Sequence, residues 1–151
     1  IPLSARSTYN EIKNAEVAIE EATGIRPTLF RPPRGVYSGY ARELLKEERY
    51  TLVLWDLSAV DWAELAPKKI VANVVNKVKP GSIILLHDSG DLITYRGGDR
   101  HSTVKALPEI IDKLRAQGYE FITIDQMIFI SELMETEEYS HEDYLGPIPA
   151  Y

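Results

Sequence analysis

Cysteine is absent from this 151-residue chain, which excludes disulfides and thiolate chemistry. The absence does not choose a compartment, because exported proteins can also lack cysteine. No apolar run approaches the roughly 20 residues of a membrane span, and no signal peptide is visible. No glycine-rich phosphate loop occurs, which removes the main support for a nucleotide-binding α/β domain. Histidine is scarce, with only His87, His101 and His141, and no metal-ligand set or catalytic carboxylate pair is visible. Basic residues are missing from the C-terminal stretch. From Ser131 onward there are six carboxylates and no Lys or Arg, so the preceding residues carry 17 acids against 17 bases. A balanced body argues against nucleic acid or another polyphosphate partner, which would favour a basic surface. The acidic stretch reads as a solvated tail over 131–151, following a domain over 1–130. The chain opens on Ile1-Pro2 rather than methionine, which predicts a true start further upstream.

What is present alternates between helix and strand signals. Thr8-Tyr9-Asn10-Glu11 reads as a capping box, with Ile12, Ala15, Ile19 and Ala22 on one helical face and Gly24 as the stop. Thr28-Leu29-Phe30 is a short strand running into a proline turn. A helix over 39–48 leads to a strand at Tyr50–Trp55. Pro67 suits the first turn of a helix whose face holds Val71, Val74 and Val78. Ser82–Leu86 reads as a strand covered on both faces. A helix over 102–117 is expected to bury Val104, Leu107, Ile111 and Leu114, and Tyr119–Ile124 is the last predicted strand. The pattern is that of a parallel α/β architecture, with its functional loops at the C-terminal ends of the strands.

Three rim segments carry chemistry. His87 follows the most apolar strand and precedes a polar loop over 88–100. A lone histidine in such a place is more often structural than catalytic. A carboxylate beside it would hold one tautomer and favour proton donation near neutrality. Asp61 is the candidate orienter, although it could equally be a turn cap near Trp62. Arg31-Pro32-Pro33-Arg34-Gly35 is a rigid turn, because proline fixes φ and glycine permits a reversal. It could aim the Arg31 guanidinium at a carboxylate and the Arg34 backbone N–H at an oxyanion, or serve only as a surface bend.

Taken in order, Arg31–Gly35, Asp61-Trp62, Leu85-Leu86-His87, Gly98–Thr103 and Ala106-Leu107-Pro108 resemble the polysaccharide deacetylase (NodB-homology, carbohydrate esterase) family. Ala15–Gly24 and Gly118–Thr123 fit the same pattern, so the resemblance spans residues 8 to 127, the later part of the family's catalytic domain. It implies an α/β fold that is an incomplete distorted (β/α) barrel, with parallel strands alternating with helices. It also implies a divalent-metal (zinc or cobalt-like) hydrolase that removes acetyl groups from N-acetylated sugars in chitin-like polymers or peptidoglycan. In that chemistry a metal-bound water attacks the amide and an aspartate serves as base. Carried over, His87 would protonate the departing amine, Asp61 would orient it, and Arg31 would partner the base. The Arg34 N–H would help hold the oxyanion, while Leu85 and Trp62 would wall the acetyl methyl. An extracellular or cell-envelope location is implied as well.

The family's Asp-Asp pair and its two histidines three residues apart have no counterpart in this chain. Ser58 stands where the family usually has an earlier aspartate, and Arg34 where an aromatic is frequent. The expectation is therefore a chain that binds no metal well and is inactive alone, since His101 and His141 with Asp88 or Asp99 are too few for a preorganised site. The alternative is a non-catalytic carbohydrate-binding or structural protein derived from the same fold. Four strands of a barrel would leave edges and apolar faces uncovered, so self-association or a complementary N-terminal fragment is expected to cover them.

Overall fold

The computed structural model describes residues 5–63, 65–89 and 100–135. Two compact units divide the chain, Ile1–Asp56 and Leu57–Tyr151, and each holds its own apolar cluster.

In the first unit, helix α1 (Ala5–Thr23) leads to strand β1 (Leu29–Phe30), a 3-10 turn at Pro33–Gly35, helix α2 (Gly39–Glu47) and strand β2 (Thr51–Leu52). The strands pair in parallel, with Leu29 opposite Thr51 and Phe30 opposite Leu52, and α2 lies on the connection that a parallel pair requires. Helix α2 begins where Ser38 Oγ accepts the Ala41 amide at 3.1 Å, an N-cap that satisfies one orphan donor. Ile12, Leu44, Leu45 and Tyr50 form the cluster, with Phe30 and Leu52 packed against it.

Helix α1 departs from expectation in two ways. It already runs through Thr8, so the anticipated capping box lies inside the helix. It buries Ile12 and Glu16, whereas Ile19 is exposed, as are Ala15 and Ala22. The buried stripe takes in a carboxylate because that carboxylate is fully partnered. Glu16 Oε1 accepts from Lys13 at 2.6 Å, and Oε2 accepts from the Tyr50 hydroxyl at 2.6 Å and pairs with Arg26 at 2.9 Å. The Lys13 bond, helped by Tyr50, holds Glu16 below the usual carboxylate range against the opposing effect of burial. Burial and the neighbouring carboxylate push Tyr50 up to about 12. Arg26 also lies over the Tyr50 ring, 5.1 Å from its centroid.

The second unit carries strand β3 (Leu57–Ser58), a 3-10 turn at Asp61–Ala63, helix α3 (Pro67–Val75), strand β4 (Ile84–Leu85), helix α4 (His101–Ala116) and helix α5 (Ile124–Glu135). β3 and β4 are parallel, with Leu57 opposite Ile84 and Ser58 opposite Leu85. Ile70, Val71 and Val74 of α3 cluster with Ala106, Ile110 and Leu114 of α4 and with Leu57 and Ala59. Burying each large aliphatic there contributes about 1.5–3 kcal/mol relative to exposure. Polar clips accompany the cluster: Asn73 Nδ2 donates to the Ala59 carbonyl at 3.0 Å, and the Tyr119 hydroxyl to the Val78 carbonyl at 3.2 Å.

Several expectations are corrected here. Strand β3 was not anticipated, because Asp56 and Ser58 interrupt its apolar character. The predicted strand at Tyr119–Ile124 does not form. Instead, Thr123 Oγ1 accepts the Gln126 amide at 3.2 Å while Gln126 Oε1 accepts the Thr123 amide at 2.8 Å. That reciprocal capping box hands Ile124 to α5. Helix α5 continues through Glu135, so the first residues of the expected tail are helical, and 136–151 lie outside the described residues. Helix α4 buries Thr103, Ala106, Ile110 and Leu114, leaving Val104 and Leu107 exposed and Ile111 half-buried. Its buried face turns toward a polar partner of Thr103 rather than toward the bulkiest residues. Ser82–Leu86 is half-buried throughout rather than covered on both faces.

Candidate functional site

Each side chain of the second unit's polar site stands just beyond a strand or in the first turn of a helix. β3 leads to Asp61, β4 to His87, and α4 opens on the segment holding Arg100 and Thr103. Between β3 and Asp61 the chain reverses at Val60, whose φ of 56° is left-handed. For a β-branched residue such a conformation costs about 1–3 kcal/mol and persists only where surroundings enforce it. Ser58 Oγ accepts the Val60 amide at 3.2 Å, and the Val60 carbonyl accepts the Ala63 amide at 3.2 Å.

Asp61 is 2% exposed, and its carboxylate has three donors. Oδ2 accepts the His87 backbone amide at 2.8 Å and the Thr103 hydroxyl at 3.0 Å, and Oδ1 lies 2.8 Å from His87 Nδ1. Burial alone would push this carboxyl up. The His87 ring, the His87 amide and Thr103 outweigh burial and hold it below its ordinary value. An ionised carboxylate only accepts, so Nδ1 carries the hydrogen and Nε2 is the ring nitrogen left for proton exchange. The His87 side chain is 35% exposed beside a fully buried partner. Arg100 straps the surrounding main chain, its Nε donating to the Ser89 carbonyl at 2.7 Å and Nη1 to the Asp61 carbonyl at 3.2 Å. Trp62 is exposed in the Asp61 turn, and Leu85 is half-buried on β4.

The first unit holds the other two expected residues. The Arg31 guanidinium stacks over Trp55 at 5.8 Å from the ring centroid and reaches the Leu54 carbonyl at 3.4 Å. Arg34 adopts φ 59°, and Gly35 follows at φ 69°. Gly35 is needed twice over: a Cβ there would come within 2.8 Å of Trp55 Cη2, and the left-handed conformation disfavours a side chain.

The structure thus brings Asp61 and His87 into direct contact, with Arg31 and Arg34 in the first unit. Sequence reasoning missed Thr103, Arg100 and Trp55. Thr103 and Arg100 lie in the Gly98–Thr103 segment that carries the family resemblance, and Thr103 is in helical register with Ala106 and Ile110, but neither was assigned a role. His101 begins α4 and is exposed, as is Asp88; Asp99, His141 and residues 90–99 of the polar loop lie outside the described residues. Among the described residues no three or more His, Cys, Asp or Glu gather closely enough to hold a metal ion, and Asp61 is already filled by its donors. The described residues do not fit a metal. Among the same residues no helix is long and apolar enough to cross a membrane.

A polysaccharide deacetylase family profile matches residues 2–53. The peptidoglycan-N-acetylmuramic acid deacetylase PdaC of Bacillus subtilis is 34% identical over 135 residues, covering 89% of this chain and 26% of that protein. Its solved structure aligns at a TM-score of 0.76 with 32% identity, over 90% of this chain and 61% of that one. A peptidoglycan-N-acetylglucosamine deacetylase of Bacillus cereus is 39% identical over 104 residues, 68% of this chain and 46% of the relative. A CE4 family pseudoenzyme from Bacillus anthracis aligns at a TM-score of 0.71 with 26% identity, over 82% of this chain and 40% of that one. The chain belongs to the polysaccharide deacetylase family and corresponds to part of its domain. It spans less than half the length of the two curated relatives.

Proposed function

We propose that this chain supplies the leaving-group half of a hydrolase that removes acetyl groups from an N-acetylated cell-wall or chitin-like polysaccharide, peptidoglycan first among them. The observation that carries the reading is the Asp61–His87 pair at 2.8 Å, in which a buried carboxylate engages Nδ1 of a partly exposed imidazole. Expelling an amine from a tetrahedral intermediate requires a proton at nitrogen, because an amide anion is too basic to leave. His87 Nε2 is the donor in this scheme. Asp61 holds the ring through Nδ1 and stabilises the protonated form during turnover. Trp62 and Leu85 are proposed to bound the acetyl methyl. By the family resemblance, Arg31 is assigned to the catalytic base and the Arg34 N–H to the oxyanion.

The base and metal-ligand motifs have no counterpart in the sequence, so we propose that the chain alone is inactive and acts with a complementary segment in a closed barrel. The relatives named as peptidoglycan deacetylases support an extracellular or envelope setting. The test joins this chain to the N-terminal part of the Bacillus subtilis relative's deacetylase domain. Acetate release from N-acetylated glycan is expected from the chimera and not from the chain alone with zinc or cobalt. His87→Ala should abolish it. A folded chimera that releases no acetate would overturn the proposal.

The pseudoenzyme neighbour supports a second reading, a non-catalytic glycan-binding protein built on this fold. Glycan binding by such a folded but silent chimera would favour it.

A further inference from the structure

Three bonds converge on the Asp61 carboxylate from two segments, two from His87 and one from Thr103, and the Thr103 bond has no place in the proton-transfer scheme. Thr103 Oγ1 sits in the first turn of α4, is nearly fully buried, and lies 3.0 Å from Asp61 Oδ2. Facing an acceptor-only carboxylate, the hydroxyl must donate. Among the described residues, Oδ2 then receives two hydrogens, from Thr103 and from the His87 amide, while Oδ1 receives the imidazole. We propose that Thr103 is a positioning residue that locks the rotation of the Asp61 carboxylate and thereby fixes His87 in the Nδ1–H tautomer. This deepens the deacetylase reading by naming what sets the acid's geometry, and it rests on that reading only for its catalytic consequence.

The argument is one of valence and direction. With Oδ2 engaged by donors from two residues, the carboxylate plane is defined by His87 beyond β4 and Thr103 on α4 together. Among the described residues Oδ1 is presented to Nδ1 alone. Without the hydroxyl, Oδ2 keeps only the amide, and the carboxylate can turn about its Cβ–Cγ bond. The ring then loses its directed acceptor and becomes free to place its hydrogen on Nε2, and the imidazolium that must deliver the Nε2 proton loses the carboxylate that stabilises it at Nδ1. Arg100 does not substitute, because it holds the Asp61 carbonyl and not the carboxylate.

The test is long-range ¹H–¹⁵N NMR of the histidine rings in the full chain, at a pH where the imidazole is neutral, with His87 assigned by comparison with His87→Gln. Wild type is expected to show protonated Nδ1 and bare Nε2, with a Thr103 hydroxyl proton protected from exchange. In Thr103→Val the Nδ1–H to Nε2–H ratio is expected to fall about tenfold, the scale of one hydrogen bond to a charged group. Thr103→Ser should restore it. A merely structural role would lower thermal stability in Thr103→Val and leave the tautomer unchanged, which overturns the proposal. If Thr103→Val fails to fold, wild type still decides. An Nε2–H ring, or a Thr103 hydroxyl exchanging at the solvent rate, overturns it, whereas the protected hydroxyl with Nδ1–H sustains it. None of these readouts requires acetate release, so failure of the deacetylase proposal leaves this measurement standing.

Discussion

Replacing Asp61 by asparagine tests whether the buried carboxylate holds the second unit together through its charge or through its shape. Asp61 accepts two bonds on Oδ2 and one on Oδ1. An asparagine oxygen in the Oδ2 position keeps the His87 amide and Thr103 as donors. Its NH₂ then faces Nδ1, so the ring must accept there and carry its hydrogen on Nε2. Bonds to a charged group contribute about 1.5–3 kcal/mol and neutral ones about 0.5–1.5, so each bond weakens by roughly 1 kcal/mol. Relief of the buried charge offsets part of that loss, and the net expectation for Asp61→Asn is a destabilisation of about 1–3 kcal/mol. Asp61→Ala should cost more, about 3–5 kcal/mol, because it leaves the His87 amide and the Thr103 hydroxyl buried without an acceptor. The assay is urea unfolding followed by Trp62 fluorescence in a Trp55→Phe background, which confines the reporter to the second unit. Because the folded-state value of Asp61 lies below its ordinary one, its contribution is complete above about pH 5 and is lost as pH falls through the folded value. Asparagine has no such dependence, so the wild-type and Asp61→Asn curves should converge in acid. A stability gap that stays constant from neutral pH into acid, or an alanine variant as stable as the asparagine variant, would refute the reasoning.

Tyr50→Phe should cost about 1.5–3 kcal/mol at neutral pH by removing a hydroxyl bond to a buried carboxylate. The penalty should shrink as pH falls through the depressed Glu16 value, and urea midpoints across pH check it. At the alkaline end wild type should lose stability between about 10, the unfolded value, and about 12, a loss that the phenylalanine variant lacks. Gly35→Ala should destabilise by about 2–3 kcal/mol, since it combines a left-handed side-chain penalty with a contact against the Trp55 ring. A midpoint unchanged from wild type would count against that account. Sedimentation velocity should show self-association of the chain, given the exposed Val104, Leu107, Phe121, Ile122, Phe129 and Met134. A monomer at every concentration would contradict the expectation of uncovered apolar faces.

What the sequence made legible follows from which signals are local. Gly24 and Pro67 mark helix ends through their own backbone chemistry, and the structure places helix ends at or beside both. The His87 tip was readable because it stands just past an apolar run, whereas the short strand before Asp61 is interrupted by Ser58. Strand lengths were not readable, because a strand exists only where a partner offers its edge. Of six residues at Tyr50–Trp55 only Thr51 and Leu52 are paired, and Tyr119–Ile124 has no ladder.

The misread faces of α1 and α4 share one physical cause. Both buried stripes contain a polar residue, Glu16 in one and Thr103 in the other, whose partner comes from a distant segment: Tyr50 for Glu16, Asp61 for Thr103. An apolar-periodicity rule rotates such a helix so that the polar residue faces water, and thereby exposes the residues beside it to misassignment. A buried polar side chain is stable only when satisfied, so the true face is decided by a contact that no window of sequence contains. In both helices the error fell on the residue that joins one segment to another. For the Asp61 site that residue is Thr103, the group that ties α4 to the carboxylate beside His87.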